Sequence, residues 1–400
     1  MNCTVPLSAY AKSRSIITRY YNGIVLRDHQ LIYEDLWVSE GKIIPPQPSA
    51  DKNFNVEGAI IAPGYIDIQI NGAFGHDFTS EPESVGVVAC QLPKYGVTAF
   101  LPTMVSSAET TYRNHLPKLL SEQILPPAAA VLGVHLEGPF FCSERHGAHD
   151  IEVLDTFERI QNLETIYGSL SGVKIITLAP ELPGALEVIK ILNSKGIIVS
   201  AGHSNASYEE MQLAIKAGVT CATHLFNAMR PLHHREPGII GAVLTKPHFN
   251  YSMIADNQHV HPVTINLCWK ANPSGLILVT DAIAALGLAD GSYVLGGQSI
   301  TLKDGIANIS GTGTLAGGSI GMDQAVRNLY HATGCSVIEA IEAASYKPAR
   351  LLKIEDKKGT LNIGADADFL LLDNNLELIQ CYVSGISYHD QDLDHHLKDY

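Results

Sequence analysis

The sequence predicts an α/β fold: a closed, TIM-like parallel (β/α)8 barrel with a small β-sandwich domain built from the N- and C-terminal segments. Three features carry this expectation. Eight short runs of β-branched and apolar residues, each closed by turn residues, alternate with helix-length segments through the middle of the chain. Several of those helical segments end in glycine just before the next run, as a C′ glycine does. The two ends, by contrast, carry short strand-and-turn patterns with no helical period.

Taken in order, residues 23–26, 31–33, 36–38 and 41–44 read as the strands of the first β-rich end. The barrel runs follow at 62–70, 97–103, 130–137, 173–180, 196–203, 219–224, 249–255 and 276–281. Residues 183–195 before Gly196, and 207–217 before Gly218, are helix–glycine–strand junctions, and Ser207 with Glu210 has capping-box spacing. Residues 359–387 return to strand patterns, including the run Phe369-Leu370-Leu371-Leu372. The expected division is therefore a discontinuous sandwich, 1–61 with 354–400, and a barrel over 62–353. The polar tail beyond Ser387 should fray. A doubly wound open sheet is the competing arrangement for the middle.

Composition narrows the function. Hydrophobic residues make up 46% of 400 and charged residues 17%, enough for a large core and too apolar for a disordered chain. Lys plus Arg number 27 against 41 Asp plus Glu, a net charge of -14, and no basic cluster interrupts the excess. Nucleic-acid binding through counterion release is thereby excluded. An anionic ligand would need a local cationic pocket. Seven scattered cysteines without a C-x-x-C pair point to reduced thiols and a cytoplasmic location. The N-terminus lacks an apolar signal core, and no run of 18 apolar residues predicts a membrane span. The three N-x-S/T triplets are then chance matches.

The chemistry lies in where polar residues fall. Glu137, His203, His224 and Asp281 each close one of the predicted barrel strands, the end at which a parallel barrel gathers its active site. One such acid is easily a helix N-cap and one such histidine a satisfied core residue, but four at matching positions converge if the barrel closes. A carboxylate and two imidazoles form the His₂Glu set of a catalytic metal with an open position. Such an ion acidifies a water, leaving Asp281 as general base and then acid, or as a fourth ligand.

These residues sit in motifs that resemble the metal-dependent amidohydrolase superfamily, in the branch that deacetylates N-acetylglucosamine 6-phosphate. The motifs run in order over about residues 20 to 385: Pro63-Gly64-Tyr65-Ile66-Asp67, His135-Leu136-Glu137-Gly138-Pro139, Gly202-His203-Ser204-Asn205, Thr223-His224-Leu225-Phe226-Asn227-Ala228, Val279-Thr280-Asp281-Ala282 and Gly313-Thr314-Leu315-Ala316. The resemblance implies hydrolysis of the acetamide to glucosamine 6-phosphate and acetate. It implies one divalent ion per subunit on Glu137, His203 and His224, Zn²⁺ first, with Co²⁺, Mn²⁺ or Fe²⁺ as alternatives. The superfamily's His-x-His positions are here Gln69 and Asn71, poor ligands that imply a single metal.

The resemblance also assigns His149 to the acetamide carbonyl and Arg235 and His259 to the phosphate. It assigns further substrate contacts to Ala148, Asn227, Ala228, Thr314, Leu315 and Ala316, and implies a homodimer with Arg235 reaching across the interface. The residue pattern alone leaves His149 a surface-loop histidine and Arg235 a charged loop residue. Gly311-Thr312-Gly313-Thr314-Leu315-Ala316 matches a dinucleotide fingerprint only superficially, because no first βαβ strand precedes it. It reads better as a pocket-lining loop ahead of a helix at 322–332. Two other classes stay open: a cyclic-amide hydrolase or deaminase on the same barrel, and a degenerate barrel serving as an assembly subunit.

Overall fold

A computed structural model describes residues 15–121, 124–157, 163–295 and 297–389. Cys3, the Asn2 triplet and the polar tail from Asp390 lie outside the described residues. The middle of the chain is the expected barrel. Its strands are β1 (Tyr65–Ile70), β2 (Val97–Val105), β3 in two pieces (Ala130–Val131 and Val134–Glu137), β4 (Val173–Leu178), β5 (Ile198–Ala201), β6 (Cys221–Ala222), β7 (Asn250–Ile254) and β8 (Leu276–Val279). Each pairs parallel with the next from β1 to β8. Between β8 and β1 there is no ladder, only an isolated bridge, Ile70 with Ala282.

Helices return the chain between strands. They are α1 (Val85–Gln91), α2 (Glu109–Leu119), α3 (Leu163–Tyr167), α4 (Ala185–Ser194), α5 (Tyr208–Ala217), α6 (Gly238–Leu244) and α7 (Pro262–Ala271), and α8 (Met322–Thr333) follows β8. Their limits follow local chemistry. Ser207 accepts from the Glu210 N–H while the Glu210 carboxylate accepts from the Ser207 N–H, closing the predicted capping box of α5. Gly218 then ends α5 at φ +125°, a value an L side chain rarely adopts. The strand β8, Leu276-Ile277-Leu278-Val279, is buried throughout, each side chain stabilising the fold by about 1.5–3 kcal/mol.

The ends of the chain meet in two sheets. One orders Lys42–Ile43, Leu36–Ser39, Ile17–Tyr21 and Lys52–Asn55; the other orders Ile386–Ser387, Leu378–Val383, Phe369–Leu372, Ile60–Pro63, Ile24–Arg27 and Gln30–Tyr33. They share a core of Tyr20, Leu36, Ile61 and Phe369, in which Phe369 stacks on Tyr382 at 4.4 Å.

The strand expected at 62–70 is two strands. Ile60–Pro63 pairs antiparallel with Phe369–Leu372, and β1 begins beyond Gly64. A Cβ on Gly64 would lie 2.2 Å from Thr98 Oγ1, so the crossing point admits only glycine. The strands Ile17–Tyr21 and Lys52–Asn55, and a three-stranded meander after β8 (Gly291–Leu295, Gln298–Lys303, Ile306–Ile309), were not anticipated. Their mixture of polar and apolar residues resembles loop sequence when read alone.

Candidate active site

Glu137 ends β3, and His203, His224 and Asp281 each stand two residues beyond the last residue of β5, β6 and β8. The three latter residues hold φ at +48°, +30° and +46°, a left-handed region that costs about 1–3 kcal/mol for such side chains and persists only where the surroundings impose it. The turn aims each side chain across the barrel mouth rather than along the strand. Glu137, His203 and His224 are buried, and Asp281 is partly buried.

Three ring and carboxylate atoms converge there. Glu137 Oε1 lies 3.2 Å from His203 Nε2 and 3.0 Å from His224 Nε2, and the two Nε2 atoms are 3.2 Å apart. Ligands about 2.0 Å from a tetrahedral ion stand about 3.3 Å from one another, so the spacing fits one divalent cation. His203 Nδ1 donates to the Arg145 carbonyl, 3.1 Å away, which leaves its Nε2 lone pair facing the cluster. Burial opposes charge on Glu137, yet the hydrogen bonds of His203 and His224 hold its carboxyl well below the usual range. Against burial, Glu137 raises His224.

A donor atom of His149 also lies within 4.8 Å of Glu137 and His203 donors. Its hydrogen bonding gives it a different role. The Ser106 backbone N–H donates to His149 Nδ1 at 3.2 Å. An N–H can only donate, so Nδ1 carries the lone pair and neutral His149 carries its proton on Nε2. Burial, then the neighbouring His203, pushes its pKa down to about 3. The ring is therefore a neutral N–H donor, suited to a developing oxyanion, and would ligate a metal only as imidazolate. Phe141 stacks on His203 at 4.1 Å and meets His149 edge-on at 5.0 Å, fixing both rings.

Asp281 faces this cluster. Its Oδ1 accepts from Asn71 Nδ2 at 2.8 Å and Gln69 Nε2 at 3.2 Å, and Gln69 Nε2 also reaches Glu137 Oε1 at 2.9 Å. The two amides standing at the His-x-His positions thus present N–H groups to carboxylates rather than lone pairs to an ion. Burial, then the charge of Glu137, raises Asp281 to about 6.

A cleft of about 530 Å³ opens over the cluster, within the usual range of small-ligand sites. Beside the four strand-end residues it is lined by Ala148, His149, Asn227, Ala228, His259 and the 313–317 stretch that includes Thr314, Leu315 and Ala316. His259 Nδ1 is held by Asp256 Oδ2 at 2.6 Å, which fixes the ring at the edge of the cleft. Arg235 is exposed and does not line the cleft; no lysine or arginine does among the described residues.

Sequence reasoning missed three parts of this wall. Ser106 acts through its backbone, which no side-chain pattern reveals. Gln298, on the unforeseen meander, donates Nε2 to the Ala148 carbonyl at 3.0 Å and lines the cleft. Asp77, Thr79 and Ser80 add a hydroxyl-rich flank, from a segment whose turn residues gave no functional signal.

Comparison with known proteins agrees with this geometry. The amidohydrolase family profile matches residues 60–390. The N-acetylglucosamine-6-phosphate deacetylase of Bos taurus is 44% identical over 391 residues, covering 93% of this chain and 96% of that protein. The crystal structure of the Thermotoga maritima enzyme of that name superposes with a TM-score of 0.82 at 32% identity, over 93% of this chain and 99% of that one. A mutant Mycobacterium smegmatis N-acetyl-D-glucosamine-6-phosphate deacetylase, solved in complex with N-acetyl-D-glucosamine-6-phosphate, gives 0.84 at 29%, over 94% and 100%. The amidohydrolase family is metal-dependent, in keeping with the ligand-like cluster at the barrel mouth. This chain belongs to the amidohydrolase family, within its group of N-acetylglucosamine-6-phosphate deacetylases.

Proposed function

We propose that this protein hydrolyses the acetamide of N-acetylglucosamine 6-phosphate, releasing glucosamine 6-phosphate and acetate, in the catabolism or recycling of amino sugars. The observation that carries the reading is the convergence of Glu137, His203 and His224 within 3.2 Å of one another, with Asp281 across the same cleft. Those three would hold one divalent ion, Zn²⁺ before Co²⁺, Mn²⁺ or Fe²⁺ because imidazole and carboxylate suit it. When bound, it supplies Lewis acidity toward the carbonyl and lowers the pKa of a water. The amides of Gln69 and Asn71, turned toward carboxylates, favour one ion over two.

The chain's own groups do the rest. The Asp281 carboxylate accepts a proton from the attacking water and returns it to the departing amine nitrogen. His149 Nε2–H donates to the oxygen that gains charge as the carbonyl is attacked. Phosphate held by His259, with Asn227 and Ala228 nearby, orients the acetamide from a distance, and Ala148, Thr314, Leu315 and Ala316 shape the sugar's surroundings. Among the described residues no guanidinium lines the cleft, which favours a homodimer in which Arg235 serves the neighbouring subunit's phosphate site. The separate core of the end sheets supports a two-part division of the chain, 1–61 with 354–400 around 62–353, with the strand Ile60–Pro63 crossing the first boundary. Six cysteines among the described residues, none in a disulfide, favour a cytoplasmic setting, and no described helix is long and apolar enough to cross a membrane.

Acetate release from the phosphorylated sugar, with metal analysis of the same sample, tests the proposal. Stoichiometric metal with no acetate would overturn the substrate; acetate release by metal-free protein would overturn the site.

A further inference from the structure

The barrel is least regular where it closes. β1 is hydrogen-bonded along β2, but between β8 and β1 the backbone contributes only a short patch. Asp281 N–H reaches Gln69 O at 2.9 Å, and Asn71 N–H and Gly72 N–H reach Ala282 O at 2.7 and 3.1 Å. All of these lie at the mouth. Deeper in the seam a side chain takes over. Asp67, two residues before Gln69 on β1 and on the same face, is fully buried. Its Oδ2 accepts the Thr280 hydroxyl, while Oδ1 accepts the N–H of Gln69 at 3.2 Å and of Thr280 at 3.4 Å. Thr280 Oγ1 in turn accepts the Ala282 N–H at 3.2 Å, which fixes the hydroxyl proton toward Asp67.

The chain of contacts straddles Asp281. Residues 280 and 282 are both tied to one hydroxyl, that hydroxyl to one carboxylate, and the carboxylate to the strand carrying Gln69, whose amide touches Asp281. Between them Asp281 sits at φ +46°, a conformation its own backbone does not favour. Seam closure alone would be served as well by packed apolar groups, since burying a carboxylate is costly unless every donor is in place. Here every donor lies on one of the two strands that set the reacting group.

We infer that Asp67 and Thr280 form a positioning clamp that holds Asp281 against the reacting centre. This rests on the reading of Asp281 as the base. Neither residue lines the cleft, so the clamp acts through Asp281 and not on substrate.

Thr280→Val removes the hydroxyl and keeps the shape; Thr280→Ser restores the hydroxyl. Metal-loaded variants are assayed on N-acetylglucosamine 6-phosphate beside Asp281→Asn and the double variant. Thr280→Val should lower kcat by about 10–100-fold, the cost of small misplacement, with KM within about twofold and metal retained. Thr280→Ser should stay within about threefold of the parent, and Thr280→Val should slow Asp281→Asn no further, because one function cannot be lost twice. Equal losses in the Val and Ser variants, or a Val variant whose kcat is unchanged, would overturn the clamp. Near-normal turnover by Asp281→Asn would instead overturn the base itself. Asp67→Asn is the second probe, expected to follow Thr280→Val in kcat; full turnover in that folded variant counts against the clamp.

Discussion

Glu137, His203, His224 and Asp281 are carried at or just beyond the ends of β3, β5, β6 and β8, whereas His149, Asn227, Arg235, His259 and the 313–317 wall ride on the loops that follow. The first group is immobilised by strand ladders beneath and by one another above. The second is placed by local hydrogen bonds: Ser106 N–H on His149, Asp256 on both the backbone N–H and the ring of His259, Gln298 on Ala148. The difference teaches how the cleft divides its work. On the proposed reading, groups that would share one ion or one proton are mounted at the strand ends, and groups that would select and orient the substrate are mounted on loops, where sequence can vary without disturbing the cylinder.

Substitutions in the two groups should fail differently. Glu137→Ala removes the shared carboxylate, so metal content per chain should collapse and turnover fall to background, as it should after dialysis against chelator; a variant that keeps both would break the strand-end half of the comparison. Asp281→Asn should keep metal and fold while losing about 10²–10⁴ in kcat. The sign of its pH dependence follows from burial and Glu137, which raise the carboxyl to about 6. The ionised form is the reactive one, so kcat/KM is full above that pKa and falls as pH drops through it. A bound cation can only move this limb lower. The profile should be repeated on unphosphorylated N-acetylglucosamine, because the phosphate itself titrates near 6. An acid limb above pH 7 on both sugars would contradict the assignment.

A loop variant should touch selection only. Arg235→Ala should cost about 10–100-fold in kcat/KM on the phosphorylated sugar, the worth of a charge-assisted hydrogen bond, and little on the free sugar. Mixing it with Asp281→Asn chains should recover activity if the arginine serves the neighbouring subunit; equal losses on both sugars would remove it from the phosphate site. The smallest effect belongs to the scaffold. Ser207→Ala breaks the α5 capping box and should lower stability by about 1 kcal/mol in urea unfolding, with kcat unchanged.

The comparison also marks what could be read in advance. Strand-end acids and histidines declared themselves because a βα period repeats and the polar residue recurs at the same phase. His203 and His224 were visible as a pair for that reason. Gln298 and Ser106 were not: one is a lone amide on an irregular hairpin, the other contributes a backbone N–H. Gly64 explains the one strand that was misjudged. Apolar residues flank it on both sides from 60 to 66, and only contact with Thr98 divides them between two sheets.

By itself the sequence determined the alternation of strand and helix, the caps at Ser207 and Gly218, and the kinds of ligand waiting at the strand ends. All are short-range properties, set by propensity, hydrogen bonding within a turn, and periodicity. Tertiary structure decided the rest: the 3.0–3.2 Å meeting of Glu137, His203 and His224, the proton on His149 Nε2, and the seam where Asp67 grips Thr280 from 213 positions away. Contacts across such separations exist only when the whole cylinder closes, and no local preference encodes them.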